Sequence, residues 1–152
     1  MSKQFQENYS LKNKLQYEEK GHPEISFVVA DNANLYQKGM AVTLTAAGEV
    51  EYATAADFVI GHVKVANVPN NDLKNTVTVV TVFKDVAYGF GKTAPLVTGT
   101  LLTADGKSTV DGNFMDYITA ATGQYASGLA LVDAAIGAEV IVGLLATPIY
   151  KA

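Results

Sequence analysis

The stretch GMAVTLTAAGEVEYA, residues 39–53, decides the fold class. Apolar side chains alternate with small or polar ones on both sides of Gly48, which is the pattern of two antiparallel strands joined by a glycine turn. TVTVVTVF, residues 76–83, is the clearest β-branched run in the chain. Helix signals are restricted to single turns at TAADF and MDYITAATG. We therefore predict an all-β domain, a small β-barrel or β-sandwich-like body with few short helical turns.

Short strands separated by turn signals continue to the end of the chain. QYASGLALVDA and AEVIVGLL predict the last two strands, and Asp-Gly pairs at Asp105-Gly106 and Asp111-Gly112 predict turns before them. KGMAVTLTAAGEV and TGTLLTADGKS share the rhythm of a glycine, an alternating strand and a turn. Two related β units would produce this echo, and so would the ordinary repetition of a small barrel, which we favour.

Composition excludes several classes of function. The 152 residues suffice for one domain, with 11 basic residues that are all lysines, a net charge of -4 and no cysteine. The guanidinium group of arginine is the usual bidentate hydrogen-bond donor to phosphates and guanine edges. The absence of arginine from an acidic chain therefore argues against a nucleic-acid partner. No uninterrupted apolar run reaches the roughly 18 residues of a membrane span, so we expect no membrane partner.

Residues 1–24 differ from the β-rich domain predicted for residues 25–152. This N-terminal arm carries four lysines and four glutamates and contains no valine or alanine. Its spaced apolar residues indicate a segment that orders on a partner, although a frayed terminus or a first helix packed on its own domain explains the composition equally well. The residues predicted to make these contacts are Phe5, Tyr9, Leu11, Leu15 and Tyr17.

No group of residues has the pattern of a catalytic or metal site. Gly91-Lys92-Thr93 matches the end of a phosphate loop, but the first glycine of that motif would fall at Val86 and no strand-loop-helix pattern follows. The two histidines, His22 and His62, have no companion ligands. Glu49 and Glu51 share one strand face, where an exposed sheet surface explains them better than a glycosidase cleft does. We predict no enzyme activity, no cofactor and no metal.

The segments 35–66 and 94–146 resemble the head decoration, or cement, proteins of tailed bacteriophages. The resemblance is carried by a glycine before an apolar strand, a turn glycine, an Ala/Thr bridge in EYATAADF and a strand that opens on Ile60-Gly61. LLTADGKSTV, YASGLALVDA and GAEVIVGLLA resemble the second half of the same family. The arm and the loop NVPNNDLKN are not part of this pattern.

The resemblance implies a structural virion protein rather than an enzyme. Such a protein, made in the host cytoplasm, would bind the major capsid protein on the outer capsid surface, commonly as a homotrimer, and stabilise the shell by bridging neighbouring capsomers. The alternative is a phage fibre-base or adhesin-type module that recognises a surface glycan. Exposed tyrosines in adjacent positions, from among Tyr36, Tyr52 and Tyr88, would favour that alternative.

Overall fold

The computed structural model describes residues 24–55, 57–80 and 86–152, and the described part is all-β with no helix. The all-β prediction is therefore confirmed. The helical turn expected at MDYITAATG is wrong, because Met115 and Tyr117 both pack into the core from a strand. The ten strands are β1 (Glu24–Val28), β2 (Ala41–Leu44), β3 (Val50–Tyr52), β4 (Gly61–Val65), β5 (Thr76–Val80), β6 (Val86–Gly91), β7 (Leu101–Lys107), β8 (Met115–Thr119), β9 (Tyr125–Ala130) and β10 (Glu139–Tyr150).

The strands form two five-stranded units with the same topology. Unit 1 is a sheet in the order β1-β5-β4-β2-β3, and unit 2 is a closed barrel in the order β10-β6-β8-β7-β9. From its first strand, each unit therefore runs first, fifth, fourth, second, third. The first and third strands also meet in parallel in both units, through the Val29–Val50 bridge in unit 1 and the β6–β8 pairing in unit 2.

Equivalent hydrogen bonds confirm that the units correspond. Three backbone hydrogen bonds of unit 1, each from an N–H to a carbonyl oxygen, have an equivalent in unit 2. The bonds in unit 1 are Ala30 to Val50 (2.8 Å), Gly39 to Val63 (2.8 Å) and Ala53 to Ala41 (3.1 Å). Their equivalents in unit 2, in the same order, are Lys92 to Tyr117 (3.1 Å), Gly99 to Ala130 (2.8 Å) and Ala120 to Leu101 (2.9 Å). The echo in the sequence is thus a repeat of the whole unit, against the interpretation that we favoured. The hairpin after β2 spans residues 45–49, whereas the equivalent hairpin after β7 spans residues 108–114. Equivalent residues of the two units are therefore not separated by a constant number of positions in the sequence.

Glycines allow the strands to pack closely around the core. Gly61 opens β4 and Gly128 holds the equivalent place in β9. A Cβ added at Gly61 would overlap the carbonyl oxygen of Val80, and one added at Gly128 would overlap the side chain of Val142. A five-stranded barrel has a narrow interior that a few side chains fill. The buried side chains of both units belong to one core cluster.

Candidate functional site

The segment between β3 and β4, described for residues 53–55 and 57–60, carries noncovalent contacts from unit 1 to unit 2. The carbonyl oxygen of Ala53 accepts a hydrogen bond from the Gly106 N–H at 2.8 Å. The Ala55 N–H donates to the Asp105 carboxylate at 3.0 Å. The ring of Phe58 meets that of Tyr125 edge to face, with the centroids 5.2 Å apart. The Ala/Thr bridge of the sequence is therefore the junction between unit 1 and unit 2.

Lys92 belongs to this junction and not to a phosphate loop. Its ammonium lies 2.8 Å from the Asp105 carboxylate and also donates to the Asp105 carbonyl oxygen at 3.3 Å. Partial burial acts to raise the pKa of Asp105, but the hydrogen bonds from Lys92 and from the Ala55 N–H outweigh it and hold the pKa below its ordinary value. The lysine thus neutralises the carboxylate that links the units.

A cleft lies beside the junction. It has a volume of about 540 Å³ and is lined mainly by unit 1, with Gly106 and Lys107 contributed by unit 2. Asp31 and Glu51 place two carboxylates in it. The cleft is lined by carboxylate, amine, amide and hydroxyl side chains, and none of its lining residues is a histidine. Its lining residues are Ala30, Asp31, Asn34, Tyr36, Glu51, Tyr52, Thr54, Gly106 and Lys107.

Two of the tyrosines that we considered for glycan binding are neighbours in this cleft, but they serve packing. The rings of Tyr36 and Tyr52 stack with centroids 4.4 Å apart, and Tyr36 is 1% exposed. The hydroxyl of Tyr52 donates to the Leu35 carbonyl oxygen at 2.5 Å. Burial raises the pKa of both phenols. Tyr88 lies on β6 in the other unit. The exposed tyrosine pair that a glycan platform would need is therefore not formed by Tyr36 and Tyr52.

Three of the remaining candidate groups, His62, Glu49 and Glu51, belong to the described residues, and His22 lies outside them. Burial lowers the pKa of His62 to about 3, so its imidazole is neutral at physiological pH. Glu49 lies in the hairpin turn before β3 and donates its N–H to the Thr45 hydroxyl, whereas Glu51 is exposed on β3. Within residues 24–55, 57–80 and 86–152, no three His, Cys, Asp or Glu side chains are grouped so that they could hold a metal ion.

Both units present a large aliphatic side chain at the same position of the fold. Leu73 precedes β5 and is 95% exposed, and Ile136 precedes β10 and is 59% exposed. Two residues later, the Asn75 carbonyl oxygen accepts from the N–H of residue 29 at 2.9 Å and the Ala138 carbonyl oxygen accepts from the N–H of residue 91 at 3.1 Å. These matched bonds show that the two positions are equivalent, and we call Leu73 and Ile136 the paired tips.

The sequence did not indicate the paired tips as functional residues. Leu73 lies in the loop NVPNNDLKN and Ile136 in the tract VDAAIGAE, and the strand pattern alone marks both as loop residues of no special role. The signal that could have found them is their equal spacing, since Leu73 lies four residues before the buried Val77 and Ile136 four residues before the buried Val140. The arm residues predicted to bind a partner, Phe5, Tyr9, Leu11, Leu15 and Tyr17, lie outside the described residues.

No protein-family model matches the chain, and no curated protein is significantly similar to it. In the described part of the chain, no helix is long and apolar enough to cross a membrane.

Proposed function

We propose that the protein is a structural virion protein that decorates the outer surface of a tailed-phage capsid. In this proposal it binds the major capsid protein as a homotrimer and stabilises the shell by bridging neighbouring capsomers. It works through contact area and carries out no reaction. The resemblance of the glycine and strand pattern to head decoration proteins motivates the proposal.

The paired tips are the observation that carries it. Leu73 and Ile136 present the same chemistry twice on one chain, at equivalent positions of two equivalent units. A partner that repeats its own surface, such as a capsid lattice, can engage both. Burying one Leu or Ile side chain contributes about 1.5 to 3 kcal/mol, and a second contact on the same chain becomes effectively intramolecular. Two modest contacts then give strong attachment.

Co-sedimentation with capsids that lack the protein tests the role of the tips. We expect Leu73→Ser and Ile136→Ser each to weaken binding by about 10- to 100-fold, because each removes one buried aliphatic group. The double variant should lose more than either single variant does. Val110→Ser is the matched control, since Val110 is 56% exposed but lies in the β7–β8 hairpin and not in either of the loops that carry the tips. Unchanged binding by the double variant would contradict the proposed contact.

Deletion of residues 1–20 tests the arm separately. We expect a folded oligomer that no longer sediments with capsids, because the apolar residues of the arm would be missing from the shell contact. Circular dichroism with a strand spectrum like that of the full chain is the control for folding. Full retention of capsid binding would remove the arm from the mechanism.

A further inference from the structure

Unit 1 is closed less completely than unit 2. In unit 2 the first and third strands pair in parallel over three residues, and the pairing begins at Met115 of β8. In the described part of unit 1, the equivalent strands meet at one position, the Val29–Val50 bridge. The residue of unit 1 equivalent to Met115 is Gly48, which lies in the hairpin turn with a φ of 79° and cannot continue the strand. The short hairpin thus leaves one side of β1, the side that faces away from β5, outside the strand ladder, and we call this side the open edge.

Backbone hydrogen-bonding groups point out of the open edge. The Val29 N–H donates to a carbonyl oxygen just before β5 at 2.9 Å, whereas the Ala30 N–H donates to Val50 on the other side at 2.8 Å. Because successive residues of a strand direct their backbone groups to opposite sides, the N–H groups of Ser26 and Val28 point to the open edge. Among the described strands, β5 is the one that pairs along β1. An exposed edge of this kind is a template for a further strand.

Apolar side chains of the core face are incompletely covered at the open edge. Ile25 lies opposite the fully buried Val79 and therefore faces the core, yet it is 46% exposed. Its equivalent in unit 2, Ala87, is 5% exposed. Phe27, on the same face, packs against the core cluster and is only partly buried. A further strand that brings apolar side chains to this face would cover both Ile25 and Phe27.

The segment that fits the open edge immediately precedes β1 in the chain. The first 23 residues lie outside the described part of the structure. Gly21 and Pro23 are turn-forming residues, and a chain that reverses there runs along β1 in the antiparallel direction. The preceding stretch LQYEE, residues 15–19, matches β1 in length, and in an extended strand its Leu15 and Tyr17 share one face. The short connection keeps this stretch at a high effective concentration beside the open edge.

We propose that residues 15–19 add to the open edge of β1 as a further, antiparallel strand of unit 1. Leu15 and Tyr17 then cover Ile25 and Phe27, and the N–H groups at the open edge gain acceptors. The chain thus completes unit 1 with its own N-terminal segment, at the place where unit 2 uses the first residues of β8. The inference goes beyond the proposed function and does not depend on capsid binding. It assigns Leu15 and Tyr17 to the fold and leaves the residues before them for the shell contact.

Hydrogen exchange of individual backbone amides, measured by NMR, tests this assignment. We expect the Ser26 and Val28 amides to exchange at least about tenfold faster in a variant that lacks residues 1–20 than in the full chain, because the added strand protects them. A variant that lacks residues 1–13 keeps the added strand and should exchange like the full chain. Circular dichroism verifies that both variants are folded. Equal exchange of the two amides in the full chain and in the variant that lacks residues 1–20 would overturn the inference.

Ser26→Pro removes a single N–H from the open edge. The bonds between β1 and β5 stay intact, because they use the odd-numbered residues of β1, and an edge strand tolerates proline. Ser26→Ala is the matched control. The difference in melting temperature between these two variants should be about 2 to 4 °C larger in the full chain than in the chain that lacks residues 1–20, because only the full chain has a hydrogen bond to lose. A difference of the same size in both backgrounds would overturn the inference.

Two charge substitutions identify the core face of the added strand. Tyr17→Asp brings a carboxylate against the apolar side chains of the core face, so it should abolish the slow exchange of the Ser26 amide. Gln16→Asp places the same charge on the opposite face of the strand and should leave the exchange as it is in the full chain. Loss of protection in Gln16→Asp but not in Tyr17→Asp would overturn the proposed arrangement.

Dilution identifies which chain supplies the strand. Slow exchange of the Ser26 amide that persists in samples with the single-chain mass of 16.1 kDa supports the assignment to the same chain. If the slow exchange is lost on dilution together with a larger mass, a second copy supplies the strand and the inference fails.

The capsid assay separates this inference from the proposed function. A protein with a slowly exchanging Ser26 amide that does not sediment with capsids would support the inference and contradict shell binding. A protein that sediments with capsids but whose Ser26 amide exchanges as fast as in the variant that lacks residues 1–20 would support shell binding and overturn the inference.

Discussion

The buried His62 should make the stability of the fold depend on pH. An unfolded histidine titrates near 6.5, and burial on β4 lowers the pKa of His62 in the folded state to about 3. The folded protein holds the neutral imidazole, so this contribution to stability is complete above pH 6.5 and is lost as the pH falls toward 3. At about 1.4 kcal/mol per pKa unit, the loss between pH 7 and pH 5 is about 2 kcal/mol.

Chemical unfolding at pH 7 and pH 5 measures this loss. Circular dichroism is the suitable signal, because the chain contains no tryptophan. The protein concentration is kept fixed, since self-association would shift the apparent stability. His62→Gln is the matched control: it cannot be protonated in this range, so its free energy of unfolding should fall by about 2 kcal/mol less than that of wild type. His22 is present in both proteins and cancels. A difference between the two pH dependences of less than about 0.5 kcal/mol would refute the reasoning.

Three further predictions concern packing and the junction. Gly128→Ala should lower the free energy of unfolding by about 1 to 3 kcal/mol, because the added methyl group would enter the packed barrel. In Gly143→Ala the methyl group meets a flexible side chain at ordinary contact distance, so this variant should lose less stability. Equal losses in urea titrations would count against this packing. Tyr117→Phe should leave thermal stability unchanged or raised, because its buried hydroxyl has no hydrogen-bond partner among the described residues. Tyr52→Phe should lose about 1 kcal/mol with its hydrogen bond, and the reverse order of melting temperatures would contradict the assignment. Asp105→Ala should lower the melting temperature, because it removes the acceptor of a junction N–H, and an unchanged value would show that this bond contributes nothing.

The class of fold could be predicted because the alternation of side chains along a strand is a local property. Strand β8 escaped prediction because Met115, Asp116 and Tyr117 are buried in succession, which hides the period of two. The repeat of the unit was visible in the sequence only as a short echo, since the longer hairpin after β7 breaks the spacing that the first half would predict. Local patterns carry no information on insertions in loops.

The candidate contact surfaces were less predictable than the fold. Exposure of Leu73 and Ile136 depends on where the loops end relative to the strands, which is a property of the assembled units. The rings of Phe58 and Tyr150 both lie against that of Tyr125, although the three residues come from distant parts of the chain. The sequence identified the Ala/Thr bridge as a distinctive segment, but only the packing of the two units shows what it touches.

The junction has a consequence for how chains of this kind can diverge. In the described part of the chain, two hydrogen bonds run from unit to unit. They use backbone atoms of Ala53, Gly106 and Ala55, and only Asp105 contributes a side chain. Every residue except proline carries the same backbone hydrogen-bonding groups. Substitutions in the Ala/Thr bridge can therefore preserve the hydrogen bonds between the units. Distant homologues should therefore keep the close-packed glycines and the inward-facing positions and share little else. In such a lineage, the fold would be retained after the amino-acid sequences had diverged.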